Sequence, residues 1–319
     1  MEKYYHKQTL RKRILLSAMK FIVRLAVILV LFIGCEKKPD KELAHSNFEI
    51  GIISDCQYCY CDANGMRYYK RSPERLVEAV DVLNQKDLNY TIHLGDFIDR
   101  DFNSYDTIVP IWNKLVSKKY HVLGNHDFSV ADSLKSQVFD QLNIKERYYS
   151  FAQNNWRFIV LDGNDLSFHG ALSTIKKQQT DSIYMRYEKD SLEYLQKWNG
   201  ALSKNQLHWV RTELEIAKKN NENVGIYCHF PALPFDDWHN LWNREDLITL
   251  ITEYDCVKLF FNGHNHEGGY VEKDGVHYLT FKAMVNTDDS TSFATALFTK
   301  DSVYINGYGR EISRGLKIN

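Results

Sequence analysis

Two short stretches of this chain, Leu94-Gly95-Asp96-Phe97-Ile98-Asp99 and Leu123-Gly124-Asn125-His126-Asp127, place a glycine and then polar donors directly after apolar runs. The runs, Tyr90 to Leu94 and Tyr120 to Leu123, read as buried strands. Side chains at the C-terminal ends of such strands stand where open α/β sheets bind ligands. Asp96 can bridge two cations with its two carboxylate oxygens, Asn125 offers a neutral carbonyl oxygen, and His126 brings an imidazole alongside without needing to ligate. The pattern recurs: Asp55 and Gln57 follow the run Phe48 to Ser54, His229 follows Asn223 to Cys228, and His264 and His266 follow Val257 to Phe261. One histidine after a strand is ordinarily structural. Repetition at the same end of strand after strand points to a shared site.

The donors form a mixed set: carboxylates (Asp55, Asp96), amides (Gln57, Asn125) and imidazoles (His229, His264, His266). That set suits Mn²⁺, Fe²⁺ or Zn²⁺ better than Ca²⁺ or a soft metal. A shared Asp96 would hold two divalent ions about 3.5–4 Å apart, the spacing of two-metal hydrolytic sites. Such a pair acidifies water and neutralises phosphate oxygens during in-line displacement. The amide oxygen of Gln57 cannot be protonated and is harder than imidazole, so it is expected to favour Mn²⁺ over Zn²⁺.

The elements that must position these donors alternate between strand and helix. Ser72-Pro73-Glu74 opens a helix to Gln85, with Ser72 as N-cap and Pro73 at the first helical position. Further helices are expected at Asp106 to Val116, Lys176 to Trp198, Ser203 to Lys219 and Arg244 to Thr252. Arg147 to Phe151 and Trp156 to Leu161 read as a β pair across Gln153-Asn154-Asn155. Residues 167–199 read as an insertion over the active face, and Gly269 to Tyr308 as a β-rich tail. Two packed mixed sheets with helices outside, an α/β/β/α sandwich, follow from this order.

The chain has 319 residues, 44% hydrophobic and 25% charged, with net charge −1. That balance excludes general nucleic-acid or anionic-membrane binding through a basic surface. Positive charge gathers instead before the apolar run Leu25 to Ile33, which is too short to span a membrane. A basic region, a short apolar core and Gly34-Cys35 describe a secretory signal over residues 1–34, with 35–47 as a tether. Met19 would make a compact alternative start. Cys56, Cys59 and Cys61 cluster without the second cysteine pair a zinc site wants. A disulfide at Cys59 or Cys61 is open, and Cys228 and Cys256 read as buried thiols. The residues carry no signal for an oligomeric state.

The ordered blocks Asp55-x-Gln57, Gly95-Asp96, Gly124-Asn125-His126-Asp127, His229 and Gly263-His264-x-His266 resemble the calcineurin-like metallophosphoesterase superfamily over most of residues 48–309. The resemblance implies Asp55, Gln57, Asp96 and His266 at one metal, Asp96, Asn125, His229 and His264 at the other, and His126 as the acid for the leaving group. Gln57, where most members carry histidine, is similar to the manganese-dependent ADP-ribose/CDP-alcohol diphosphatases. So are Arg67-Tyr68-Tyr69-x-Arg71, Leu161-Asp162-x-x-Asp165, Asn199-Gly200 and Trp242-Asn243. Purple acid phosphatases want tyrosine where this chain has Asp99. The implied reaction cleaves the phosphoanhydride of a nucleoside diphosphate-X compound. Arg67 and Arg71 would clamp the second phosphate, or lie solvated. Tyr69, Asn199 and Asn243 would hold the nucleoside or alcohol end, although packing is an equal reading for Tyr69. Asp127 would orient His126 or cap a turn. The ending Phe32-Ile33-Gly34-Cys35 resembles a bacterial lipoprotein signal, implying lipidation of Cys35 and tethering in the cell envelope. The alternatives are a phosphodiesterase or phosphomonoesterase on the same site, and a non-catalytic envelope lipoprotein that keeps metal for stability.

Overall fold

A computed structural model describes residues 47–189, 195–234 and 238–318. The expected signal, tether and Cys35 lie outside the described residues. The strands are β1 (Phe48–Ile53), β2 (Tyr90–His93), β3 (Lys118–His121), β4 (Tyr149–Gln153), β5 (Trp156–Val160), β6 (Leu166–Ser167), β7 (Gly200–Ala201), β8 (Asn223–Tyr227), β9 (Val257–Asn262), β10 (Gly269–Lys273), β11 (Val276–Thr280), β12 (Ser292–Phe298), β13 (Ser302–Gly309) and β14 (Arg314–Lys317). The helices are α1 (Ser72–Leu83), α2 (Tyr105–Trp112), α3 (Val138–Gln141), α4 (Thr174–Glu188), α5 (Lys204–Asn220) and α6 (Arg244–Ile251).

One six-stranded sheet runs β14-β13-β12-β1-β2-β3 and the other β10-β11-β9-β8-β5-β4. In the first, β1, β2 and β3 are parallel, and β12 lies antiparallel on β1. In the second, β5, β8, β9 and β11 are parallel between antiparallel edges β4 and β10. Side chains alternate across each strand, so each sheet has two apolar faces to bury. Ile50, Ile52 and Ile92 of the first sheet pack with Trp156, Phe158 and Phe261 of the second in one core. Ile53 instead joins Leu76 and Val80 of α1 and Ile108 and Trp112 of α2. Ile159 and Ile226 join Val210 and Leu214 of α5 and Leu247 of α6. The expected α/β/β/α sandwich is therefore the observed one. Fully burying each such side chain contributes roughly 1.5–3 kcal/mol relative to exposure.

Several boundaries differ from the sequence reading. Ser72 is the first residue of α1, not its cap, because its hydroxyl donates to the Cys56 carbonyl. α2 stops at Trp112. The Asn84 side chain donates to the Lys114 carbonyl (2.9 Å) and accepts from Val116 N–H (2.9 Å), holding that stretch out of the helix. α4 ends at Glu188, and Trp198 sits in a turn tied down by Asn199 N–H and Trp242 Nε1, both donating to the Gln196 carbonyl at 3.0 Å. Ser203 does cap α5, accepting from Gln206 N–H at 3.3 Å. Cys59 and Cys61 are bonded to each other. Cys228 is a buried free thiol, whereas Cys256 is only partly buried.

Candidate metal centre

The loops after β1, β2 and β3 bring Asp55, Gln57, Asp96 and Asn125 to the end of the first sheet, all nearly or fully buried. The loops after β8 and β9 bring His229, His264 and His266 from the second sheet. Backbone bonds cross between these loops: Gln57 N–H donates to the Asp96 carbonyl at 2.9 Å, and His264 N–H donates to Asp55 Oδ2 at 3.2 Å. Asp55, Gln57, Asp96 and His264 all adopt positive φ, between 41° and 69°. Non-glycine residues there carry strain that the surrounding fold must hold, and such residues concentrate at functional sites. The block glycines are required by close approach. A Cβ on Gly124 would meet Asp96 Oδ1 at 2.1 Å, and one on Gly263 would meet Asp55 Oδ2 at 2.4 Å.

Asp96, His229 and His264 each offer a ligand atom within 4.8 Å of one another. His229 Nε2 lies 3.2 Å from Asp96 Oδ2, and His266 Nε2 lies 3.6 Å from Asp55 Oδ1. Gln57 Nε2 donates to Asp96 Oδ2 at 3.0 Å, which leaves its carbonyl oxygen over. Three buried oxygens here lack a hydrogen-bond partner: Asp55 Oδ1, Gln57 Oε1 and Asn125 Oδ1. Orphaned buried polar atoms are costly, and each of these carries a lone pair a cation can take. The residues therefore fit two divalent ions.

The imidazoles are oriented by what touches their other nitrogens. His229 Nδ1 donates to the Leu94 carbonyl (2.9 Å), His264 Nε2 to Asn199 Oδ1 (2.8 Å) and His266 Nδ1 to Asn286 Oδ1 (2.8 Å). Such partners fix the tautomer and leave the opposite nitrogen basic. Burial holds His264 well below the usual histidine range, and burial with nearby Arg67 brings His266 down to about 3. Burial opposes charging His229, but the Asp96 carboxylate overrides it and lifts this ring to about 9. Burial raises Asp55 to about 6, with Asp96 adding to the effect. A cation would replace the proton these groups otherwise share.

His126 lines a cavity of about 300 Å³ together with Gln57, Arg67, Asn125, Trp198, His239, His264 and His266. Its Nδ1 is 2.9 Å from the Asp99 carbonyl and 3.2 Å from Asp99 Oδ1, so Asp99 orients the ring. Asp127 does not. It is buried and accepts from the N–H groups of Asp96 (3.1 Å), Phe97 (2.9 Å) and Gly124 (2.9 Å), knotting the two loops together. Asp162 pairs with Arg147 and accepts from Asn164 N–H at 2.9 Å, and the Asn164 side chain in turn donates to the Leu123 carbonyl.

Of the expected substrate contacts, Arg67 alone lines the cavity. Arg71 pairs on the surface with Glu74 (2.9 Å) and Asp288 (3.7 Å). Tyr69 is buried against Cys59, Ala283 and Val285. Asn243 exchanges hydrogen bonds with the Leu202 backbone at 3.0 and 2.9 Å. Asn199 holds His264. Sequence proximity to a motif gave these four no direction. Trp198 and His239 were missed: His239 packs edge-on to His264 at 5.2 Å, and neither lies in a repeated block.

A Bos taurus protein named manganese-dependent ADP-ribose/CDP-alcohol diphosphatase is 30% identical over 324 residues, spanning 86% of this chain and 96% of that protein. An Arabidopsis thaliana protein of the same name is 30% identical over 277 residues, spanning 76% of this chain and 88% of its own. A dimetal phosphatase structure from Danio rerio superposes with a TM-score of 0.76 at 26% identity, covering 85% of this chain and 99% of that one. The family model described as calcineurin-like phosphoesterase matches residues 48–268, and the chain belongs to that family.

Proposed function

We propose that this chain is a manganese-dependent hydrolase cleaving the phosphoanhydride of nucleoside diphosphate-X compounds such as ADP-ribose and CDP-alcohols. The products are a nucleoside monophosphate and a phosphorylated sugar or alcohol. The observation that carries the reading is Gln57: it sits among the buried donors with its carbonyl oxygen unpartnered, in a chain 86% of which matches a diphosphatase-named relative. Asp55, Gln57, Asp96 and His266 would hold one cation, and Asp96, Asn125, His229 and His264 the other. When bound, the cations supply Lewis-acid charge for the phosphate oxygens and acidify water.

The chain's own groups do the rest. Arg67 presents its guanidinium to the second phosphate, where bidentate donors match phosphate oxygens. Asp99 holds Nδ1–H of His126, so Nε2 is the nitrogen that can carry a proton to the leaving oxygen, within general-acid range of the cavity. The loops that bury Asp55 and Asp96 keep these carboxylates out of bulk water, which strengthens their attraction for the cations.

The test uses purified protein stripped of metal and reloaded with Mn²⁺, with ADP-ribose, CDP-choline, bis-p-nitrophenyl phosphate and p-nitrophenyl phosphate assayed side by side and products identified by mass. AMP or CMP as the preferred product is the expected result. Turnover confined to the nitrophenyl esters would return the chain to a general phosphoesterase.

We also propose that residues 1–34 are a lipoprotein signal and that Cys35 is lipidated, placing the enzyme on the bacterial cell envelope. The support is the basic stretch, the short apolar run and Ile33-Gly34-Cys35. No helix among the described residues is long and apolar enough to cross a membrane. Fatty-acid labelling that survives Cys35→Ser would overturn this.

A further inference from the structure

We propose that Trp198 is the platform on which the nucleobase stacks, an inference that rests on the substrate class above. The cavity at the donors is about 300 Å³. That is the small end of ligand pockets, enough for the phosphates but not for a whole nucleoside diphosphate-X molecule. The nucleoside must therefore lie against the rim. Trp198 is the tryptophan that lines the cavity: it is 41% exposed, whereas Trp112, Trp156 and Trp242 are at most 2% exposed and Trp238, 58% exposed, does not line it.

Its backbone is fixed while its ring is left out. The Trp242 indole clamps the Gln196 carbonyl, and Asn199, the next residue, bonds both His264 Nε2 and, at 2.6 Å, the Trp238 carbonyl. The same asparagine therefore sets the metal-ligand imidazole and the position of the indole. A rigid, exposed aromatic face costs little to order on binding. Stacking tolerates any base because every base has a π-face. One site would then accept adenosine and cytidine diphosphate compounds alike, without hydrogen-bond readout.

The experiment compares full-length Mn²⁺-loaded wild type, Trp198→Ala and Trp198→Phe on ADP-ribose, CDP-choline and P1,P2-diethyl diphosphate, which has the anhydride but no base. Trp198→Ala is expected to raise KM for both nucleotides by roughly 5- to 100-fold. Any fall in kcat/KM for the base-free compound should be much smaller than the fall on the nucleotides, and Trp198→Phe should restore most of the nucleotide loss. Equal losses on all three compounds, or none, overturn the platform. Calorimetric binding of AMP separates this from the substrate reading. Weaker AMP binding in Trp198→Ala and retained binding in Trp198→Phe support the platform whatever the turnover, and equal affinity in all three overturns it. Absence of anhydride cleavage by the wild type sinks the substrate reading instead.

Discussion

The two sheets divide the donors by chemistry. The first contributes oxygens, from Asp55, Gln57, Asp96 and Asn125. The second contributes nitrogens, from His229, His264 and His266. The two sets are held differently. The oxygen side depends on backbone, with Asp55, Gln57 and Asp96 at positive φ and Asp127 binding three amides of the loops together. The imidazole side depends on acceptors behind each ring, namely the Leu94 carbonyl, Asn199 and Asn286. The first sheet also carries buried histidines, His93 and His121, which pack against Phe97 and Trp112 on the helix side; His93 Nδ1 accepts from Gly95 N–H at 3.2 Å and so supports the loop behind Asp96. The lesson is that the oxygen donors are specified by where the chain turns, whereas each nitrogen donor, His264 with its own positive φ included, also has an acceptor standing behind its ring.

The largest effect should come from Asp96, where both sets meet. Asp96→Asn is expected to lower kcat by at least about 10³-fold, through loss of charge between two cations. Retention of most activity would show that the sheets do not share a ligand. Next, His126→Ala should cost roughly 10²–10⁴-fold in kcat. The loss should shrink for substrates with acidic leaving groups, which need no proton, and a uniform loss would move His126 from acid to structural support. A change behind the imidazoles is milder: Asn199→Ala or Asn286→Ala should weaken Mn²⁺ affinity by roughly 10- to 100-fold in a direct binding titration. Unchanged affinity would break the contrast between turn-held and partner-held ligands.

Much of this was legible beforehand, for a physical reason. The ligand blocks pair a glycine with a donor at a strand end, and both features are local. What stands behind the ligands is not local. Asn199 and Asn286 reach their histidines across sequence separations of 65 and 20 residues, and no spacing announces them. The same limit misdirected Arg71 and Asn243, which family-like motifs singled out but whose side chains find Glu74 and Leu202. Ser72 looked like a cap because the sequence cannot show that the Cys56 carbonyl competes for its hydroxyl.

Two smaller outcomes sharpen the comparison. Gln57→His moves a nitrogen into the oxygen sheet and should shift the ratio of activities with Mn²⁺ and Zn²⁺ toward Zn²⁺. An unchanged ratio means that Gln57 does not set the metal. Burial brings His121 down to about 3, so between that value and about 6.5 the unfolded chain binds a proton that the folded chain does not. His121 thus lowers stability as pH falls through this window. His121→Gln should flatten the acid limb of a melting-temperature profile there and leave the profile above pH 7 in place.

The strand order also bears on how this protein can be divided. β1, β2 and β3 begin the first sheet, but β12, β13 and β14 finish it, and every strand of the second sheet lies between them in the chain. The second sheet is thus an interruption written into the first. No single cut yields a fragment with a whole sheet of the first kind, so a nick in the region around α4 should leave two pieces clasped by the ladder from β1 to β12. Specificity can be rewritten in the loops of the interrupting segment, Trp198 among them, while the carboxylate half stays closed on its own ends.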